Sequence, residues 1–224
     1  MCGRYSLSCT TKDLELIFDL IPMGYREERR YNIAPGQWVI VIRPEREWKR
    51  VLGAARWGLV PSWAKDPEGG PKPINARAEG IADKPTFRGA FRHGRCLIPA
   101  SGFFEWMKVG KAKQPFYIHP TTGKLFAFAG LYSQWAGADG ELETCTIITT
   151  APNAVMEPIH DRMPVILPPE SWAAWMDPTT PTSAAIELLR PCPPAWMDAY
   201  AVSSRVGNVQ NDDPELIAPV AMEA

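Results

Sequence analysis

The chain has 224 residues, of which 46% are hydrophobic and 22% are charged, as in a soluble globular protein that is long enough to bury a core. Its net charge of −1 argues against a strongly basic, non-specific nucleic-acid binder but still allows a local basic groove. There is no run of about 18 apolar residues and no apolar leader typical of a signal peptide. We therefore expect no membrane span and a cytoplasmic location.

The predicted elements are short and are separated by proline, glycine or aspartate. "TTKDLELIFDLI" predicts a first helix, in which Thr10 or Thr11 can cap and the apolar residues fall at helical spacing. Strands are predicted, in chain order, at "WVIVI", "FYIHP", "LFAFAGLYSQW" and "TCTIITT". "HPTTGK", after the second of these runs, suggests a hairpin turn. "PPESWAAWM", with proline in its first turn, and "TSAAIELLR", which stops at Pro191, predict two more helices.

Runs of strands with helices at the edges predict an α+β fold, with a curled, mostly antiparallel sheet or partial β-barrel and a few flanking helices. We find no repeat or linker, which favours a single domain over residues 2–224. The five cysteines are odd in number and contain no C-x-x-C pair, so neither a disulfide framework nor a structural zinc site is expected. Four of them are predicted to be small buried apolar residues: Cys9, Cys96, Cys145 and Cys192.

The chemistry of Cys2 depends on processing of the chain. Methionine aminopeptidases remove Met1 when the next residue is small, and Cys2 would then carry a free amine beside its thiol. An α-amine has a pKa of about 7.7–8.0, so part of it is unprotonated at neutral pH. The free amine can attack an aldehyde to give a Schiff base, and the thiol can then close a thiazolidine ring. The alternative is a mobile terminus with an incidental cysteine.

Two segments offer polar groups for such chemistry. In "PINARAEG", Asn75 supplies a donor and an acceptor, and Arg77 lies on the same side of an extended segment and would suit a phosphate or carboxylate. In "RCLIPASGFFEW", Glu105 is a lone carboxylate among aromatic residues, and desolvation would raise its pKa toward the range of a general acid. For the first segment the competing interpretation is a solvated loop with a structural asparagine. For the second it is an alternating strand with Glu105 on its solvent-exposed face.

A third segment, "EPIHDRMPVIL", contains one of only three histidines. His160 can shuttle protons near neutral pH, Asp161 can orient it or face solvent, and Arg162 can meet an anion. A hydrogen-bonded structural histidine is the competing interpretation. No metal or other cofactor is predicted, because a single histidine is a weak zinc signal and no glycine-rich phosphate loop occurs. Together the three segments and Cys2 suit covalent chemistry on a carbonyl attached to a phosphate backbone.

These stretches resemble the SOS-response-associated peptidase-like (SRAP) family. The resemblance covers nearly the whole chain, in the blocks "MCGRY", "RYNIAPGQ", "RWGLVPSWAKD", "INARAE", "RCLIPASGFFEW", "IHDRMPVIL" and "VSSRVGNVQND". It implies a SRAP-type fold and a DNA-damage sensor that crosslinks to abasic sites in single-stranded DNA. In this family the N-terminal cysteine captures the ring-opened deoxyribose aldehyde as a thiazolidine.

The resemblance also implies roles for individual residues. Cys2 is the nucleophile, Glu105 assists sugar ring opening and Schiff-base proton transfers, Asn75 positions the cysteine or the sugar, and His160 moves protons and assists slow reversal. DNA contacts are implied at Arg4, Asn32, Pro35, Trp63, Arg77 and Arg162. The arginines would hold phosphates, while Pro35 and Trp63 would stack or wedge against bases. One bacterial type within the family carries two adjacent tryptophans near the position where this chain has Ser62 and Trp63, which leaves the stacking details open.

The resemblance leaves two rival functions open. An N-terminal-nucleophile peptidase or amide hydrolase would use Cys2 for attack and its amine as base, and its removal of Met1 or a leader would be autocatalytic. A non-catalytic binding module for single-stranded DNA or a protein predicts that Cys2→Ala leaves all activity intact. For the crosslinking function, with or without a lyase activity, we expect a monomer, since one protein serves one lesion, and a nucleoid association if the source is bacterial.

Overall fold

A computed structural model describes residues 2–21, 29–44, 49–137 and 140–221. Within these ranges the strands form two sheets. The first contains, in spatial order, β12 (Met197–Ala201), β8 (Ala112–Pro120), β7 (Gly102–Val109), β1 (Tyr5–Leu7) and β2 (Arg30–Ile33). The second contains β11 (Met163–Pro164), β10 (Gly140–Thr150), β4 (Arg50–Trp57), β3 (Trp38–Pro44), β6 (Arg95–Ala100) and β9 (Phe126–Gly137), with β5 (Asn75–Arg77) beside β10.

The second sheet curls back on itself. Strand β10 pairs with β4 on one side and with β9 on the other, and β9 in turn pairs with β6. The pairings of β10 with β4 and with β5 are parallel, whereas the rest of the sheet is antiparallel. The predicted α+β fold with a curled, mostly antiparallel sheet or partial barrel is therefore confirmed.

The two sheets share one hydrophobic core. Tyr5 of the first sheet contacts Trp57 and Phe128 of the second edge to face, with ring centroids 5.4 Å and 6.3 Å apart. Phe103 of β7 meets Phe128 at 5.9 Å. Since all these rings are almost fully buried, the face of the short strand β1 is held against the second sheet, and this contact fixes where the N-terminal residues lie.

Three of the four α-helices in the described ranges were predicted. Helix α1 (Thr11–Phe18) begins at a capping box, in which Thr10 and Asp13 satisfy each other's backbone N–H groups, and it ends before Ile21. Helices α3 (Pro169–Met176) and α4 (Thr182–Glu187) start at or just after a proline, as the sequence predicts.

Two interpretations of the sequence need correction. "HPTTGK" is not a hairpin turn, because β8 and β9, which it joins, belong to different sheets; it is a crossover. Helix α2 (Pro85–His93) was not predicted, since Lys84 at its N-cap makes no side-chain capping bond and Gly89 interrupts its pattern. Burial of Phe87 and Phe91 holds this helix in place instead.

The side chains of all five cysteines are buried, which confirms the interpretation of Cys9, Cys96, Cys145 and Cys192. In the described ranges no helix combines the length and the apolar character needed to cross a bilayer. Met1, whose removal the sequence analysis expects, lies outside the described residues.

Candidate active site

Cys2 lies in the interior, at the point where the chain enters β1. The segment before β1 continues alongside β7, because Tyr5 pairs with Phe103 and the N–H of Phe104 donates to the carbonyl of Arg4 at 2.9 Å. Extending this antiparallel register by two residues places Gly3, the residue after Cys2, opposite Glu105. Cys2 itself is 0% exposed. The cysteine is therefore a fixed part of the fold rather than a frayed terminus.

Asn75 connects this segment to the second sheet. Strand β5 pairs with β10 in parallel, with Asn75 in register with Ile147. From there Asn75 Nδ2 donates to the carbonyl oxygen of Cys2 at 2.9 Å. Its Oδ1 is buried and has no hydrogen-bond partner among the described residues, so one acceptor remains beside Cys2.

Glu105 and His160 face each other across the site. Glu105 is 3% exposed, and its Oε2 lies 3.9 Å from His160 Nε2, which is ion-pair range but longer than a hydrogen bond. The backbone N–H of Arg162 donates to His160 Nδ1 at 3.0 Å, which places the proton of a neutral ring on Nε2, toward Glu105. A protonated ring can instead donate from Nδ1 to Asp161 Oδ1, which is 2.9 Å away. Both protonation states of His160 thus have a partner.

Burial raises the pKa of both acidic groups in the site, the thiol of Cys2 and the carboxyl of Glu105. Burial raises the pKa of the Cys2 thiol far above its ordinary value, and the nearby Glu105 carboxylate raises it further. Burial also raises the pKa of the Glu105 carboxyl, while the proximity of His160 works in the opposite direction. The thiol is therefore held protonated at neutral pH, and a carboxyl with a raised pKa is available as a proton donor and acceptor.

Arg162 is anchored by an ion pair that the sequence analysis missed. Its guanidinium makes two 2.8 Å hydrogen bonds to the carboxylate of Glu79 and a 2.7 Å bond to the carbonyl of Thr149, and its side chain is only 12% exposed. Hydrogen bonding to Arg162 lowers the pKa of Glu79, which keeps the acid ionised. The alternation of Asn75, Arg77 and Glu79 along one extended segment was the available signal for this partner.

Two of the predicted DNA contacts are engaged inside the protein. Arg4 donates to the side chain of Asn32 at 2.8 Å and to the carbonyls of Val206 and Gly207 at 2.6 Å and 3.1 Å. Asn32 is 0% exposed, and its Nδ2 donates to three backbone carbonyls in residues 206–211. These two side chains hold the loop after β12 against β1 and β2.

The other three predicted DNA contacts are open to solvent. Pro35 and Arg77 are exposed, and Trp63 is 66% exposed. The turn containing Pro35 lies against the end of β4, since Gly36 N–H donates to the carbonyl of Trp57 at 2.8 Å. Trp57 in turn donates to the carbonyl of Ile74, the neighbour of Asn75, at 2.8 Å. Pro35 and Arg77 are thus attached to the rim around Asn75.

The fold brings together Cys2, Asn75, Glu105 and His160, which the sequence places up to 158 positions apart, from residue 2 to residue 160. In the part of the chain that the structure describes, no group of three or more His, Cys, Asp or Glu side chains is arranged to hold a metal ion. The arrangement offers a thiol, a carboxyl, an imidazole and an amide around one point, which is a set suited to nucleophilic addition with proton transfer.

Comparisons with known proteins identify the family. Residues 1–209 match the family described as SOS response associated peptidase (SRAP). The chain is 45% identical to the abasic site processing protein YoqW of Bacillus subtilis, over 97% of this chain and 99% of that protein. It is 35% identical to the abasic site processing protein YedK of Escherichia coli, over 98% and 100% of the two chains. This protein therefore belongs to the SRAP family.

A solved structure supports the same assignment. The crystal structure of a protein from Bacteroides thetaiotaomicron superposes with a TM-score of 0.89 at 27% identity, over 98% of this chain and 100% of that one. The two proteins therefore share one fold over nearly the whole of this chain.

Proposed function

We propose that this protein processes abasic sites in single-stranded DNA by joining Cys2 covalently to the ring-opened sugar. The observation that carries the proposal is the convergence of Cys2, Asn75, Glu105 and His160 in one place. The relatives in the same family are named abasic site processing proteins, which supports the same substrate class. The proposal requires that Cys2 be the first residue of the mature chain, so that its amine is free.

The proposed reaction is an addition with loss of one water molecule. The amine of Cys2 attacks C1′ of the aldehyde form of the sugar and gives a carbinolamine. Protonation of its hydroxyl releases water and leaves an iminium ion. The sulfur of Cys2 then adds to the same carbon, loses its proton, and closes the five-membered thiazolidine. Carbon, nitrogen and sulfur keep their oxidation levels, so no oxidant or reductant is needed.

The electrostatics of the site suit this order of steps. Because burial keeps the Cys2 thiol protonated, the amine rather than a free thiolate makes the first attack. The thiol proton must leave during ring closure, and the carboxylate of Glu105 is the nearby base. Glu105 has a raised pKa and can therefore donate to the leaving hydroxyl and accept from sulfur within one cycle.

Asn75 and His160 support the same steps. Asn75 Nδ2 fixes the carbonyl of Cys2, and its Oδ1 is left to accept from a hydroxyl of the sugar. His160, which is 3.9 Å from Glu105 and 26% exposed, is placed to pass protons between that carboxyl and solvent. Slow reversal of the adduct would use the same route backwards.

Three exposed residues, Arg77, Trp63 and Pro35, are the proposed DNA contacts. The side chain of Arg77 makes no hydrogen bond within the described residues, and it is the arginine best placed to meet a phosphate. Trp63 and Pro35 offer stacking surfaces for bases. Arg162 can bind a phosphate only if Glu79 gives up its place, because both terminal nitrogens of the guanidinium are engaged. Binding of intact DNA should be modest, with a salt dependence that reflects a few contacts.

Incubation with single-stranded DNA that holds one abasic site tests the proposal. A heat-stable, slowly migrating band on a denaturing gel is expected, and mass spectrometry should place the sugar on the Cys2 peptide with loss of one water. Cys2→Ala should abolish the band and leave binding of undamaged DNA intact. The intact mass of the active protein should correspond to a chain without Met1. An active chain that retains Met1 would falsify the mechanism, because the amine of Cys2 would not be free.

The same protein sample distinguishes the crosslinking function from the amide-hydrolase alternative. An amide hydrolase would release product from amide substrates and give no stable band with abasic DNA. An adduct that carries a lysine in place of Cys2, detected only after reductive trapping, would point to a lyase that works through a Schiff base.

A further inference from the structure

Helix α2 presents a row of positive charge on one flank. Lys84 at its N-cap, Arg88 and Arg92 are all exposed and follow one another at intervals of four residues. Four residues advance an α-helix by about 6 Å and rotate it by about 40°, so the three side chains form a slightly spiralled row. Phe87 and Phe91 bury the neighbouring flank, which fixes the orientation of the row.

These three cations have no acidic partner in the described ranges. Helix α2 contains no acidic residue, and neither its first turn nor its last offers an internal ion pair. None of the salt bridges and side-chain hydrogen bonds of the described residues involves Lys84, Arg88 or Arg92. By contrast, Lys72, Lys124 and Arg205 on other surfaces each lie 2.9 Å or less from a carboxylate. An unneutralised row in a chain with net charge −1 favours a polyanionic partner.

The row begins beside the candidate active site. Glu79, which holds Arg162, is followed by a turn in which Lys84 N–H donates to the carbonyl of Gly80 at 3.3 Å. Trp63 lies at the same end of the helix, since its Nε1 donates to the carbonyl of Pro85 at 3.4 Å while its ring remains mostly exposed. An exposed aromatic ring followed by a row of cations is the composition of a single-strand binding surface.

We propose that Lys84, Arg88 and Arg92 bind the phosphates of the single strand that flanks the lesion, with Trp63 stacking on a base at the start of this row. This inference rests on the proposed function for its choice of partner. The row carries no base-reading geometry, so it adds affinity and direction but no sequence preference. A strand that passes Arg77 would meet Trp63 and then the three cations in order.

Binding of undamaged oligonucleotides of two lengths tests the row. The combined variant Lys84→Gln, Arg88→Gln and Arg92→Gln should bind a strand of about 20 nucleotides about tenfold more weakly at low salt, and its salt slope should be shallower by about 2. A strand of about 5 nucleotides, which fills the site but does not reach along the helix, should bind almost unchanged. Fluorescence anisotropy over a series of salt concentrations gives both quantities.

A matched control is available on the hairpin between β7 and β8. Lys108, Lys111 and Lys113 are exposed there, and changing all three to Gln removes the same formal charge. This hairpin belongs to the first sheet, whereas helix α2 packs against β6 and β9 of the second sheet. If this control weakens long-strand binding as much as the helix variant does, the effect is one of net charge and the row is refuted. Arg88→Gln alone, with a loss of about threefold, serves if the combined variant unfolds.

Crosslinking to a short abasic strand separates this inference from the proposed function. If the helix variant crosslinks normally and binds the long strand as tightly as the wild type, the proposed role of the row is wrong and the proposed function stands. If the helix variant loses affinity for the long strand but the wild-type protein does not crosslink, the row is supported and the crosslinking mechanism is overturned. A loss seen only with duplex DNA shows that the row binds a double-stranded flank, and contradicts the assignment to a single strand.

Discussion

Arg4 and Arg162 differ from Arg77 in what their guanidinium groups bind. Arg4 donates to Asn32 and to backbone carbonyls, and Arg162 donates to Glu79 and to the carbonyl of Thr149. The side chain of Arg77 is exposed and makes no hydrogen bond within the described residues. All three were predicted as phosphate contacts from the same kind of sequence evidence. A motif therefore identifies a guanidinium but leaves its partner undetermined.

The difference has a physical reason. A guanidinium has five N–H donors, and burial favours pairing them within the protein, because unpaired buried donors are costly. In Arg162 both terminal nitrogens are paired, while the buried Nε has no partner among the described residues. Arg4 and Arg162 consequently act on the fold, and through it on Cys2 and His160. Arg77 keeps its donors hydrated and can exchange water for a ligand at little cost. Substitutions of Arg4 or Arg162 should therefore change stability or chemistry, whereas substitution of Arg77 should change the affinity for DNA.

The largest effect is expected for Arg4→Ala. Loss of the bonds to Asn32, Val206 and Gly207 leaves polar groups without partners and releases the loop after β12. The free energy of unfolding should fall by about 2–3 kcal/mol, as measured by urea denaturation. Arg77→Ala is the control and should change it by less than about 0.5 kcal/mol. Equal losses in the two variants would remove the distinction between the groups.

Arg162→Lys should come next. Lysine keeps the charge but cannot bind Glu79 with two parallel hydrogen bonds, so the turn that holds His160 loosens. Adduct formation should slow by about tenfold with little change in the salt dependence of DNA binding. Single-turnover crosslinking and anisotropy measure the two properties. A shallower salt slope with an unchanged rate would show that Arg162 is a phosphate contact after all.

Glu105→Gln should have a smaller effect on stability, and one that depends on pH. Because the folded pKa of Glu105 is raised, the native state binds more protons than the unfolded chain between the unfolded pKa, about 4.3, and the folded pKa. Wild-type stability should therefore fall as pH rises through this window. The Gln variant lacks this loss and should gain relative to wild type with rising pH, in thermal unfolding followed from pH 4 to pH 8. A constant difference would contradict the burial of the charge.

The smallest effect is expected for Arg77→Ala in DNA binding. Removal of one phosphate contact should weaken single-strand affinity a few-fold at low salt and reduce the salt slope by about 0.7. The crosslinking rate at saturating DNA should stay the same, because Arg77 touches no reacting group. Unchanged affinity at every salt concentration would show that Arg77 is not a phosphate contact.

The sequence predicted the elements whose signals are local. Strands β3, β8, β9 and β10 and helices α1, α3 and α4 were identified from β-branched runs, capping residues and prolines. Helix α2 was missed because its stability comes from burying Phe87 and Phe91 rather than from capping or propensity. The crossover at "HPTTGK" was taken for a hairpin because turn chemistry does not specify which sheet receives the next strand.

By itself the sequence determined the chemical inventory: a cysteine at position 2, an acid among aromatic residues, a histidine between prolines, and the ordered blocks that define the family. Only the tertiary structure decided which of these groups meet. The close approach of Cys2, Asn75, Glu105 and His160 depends on contacts between two sheets, and the raised pKa values of the Cys2 thiol and the Glu105 carboxyl depend on burial. Burial and partnership arise from packing between distant segments, so no local pattern encodes them.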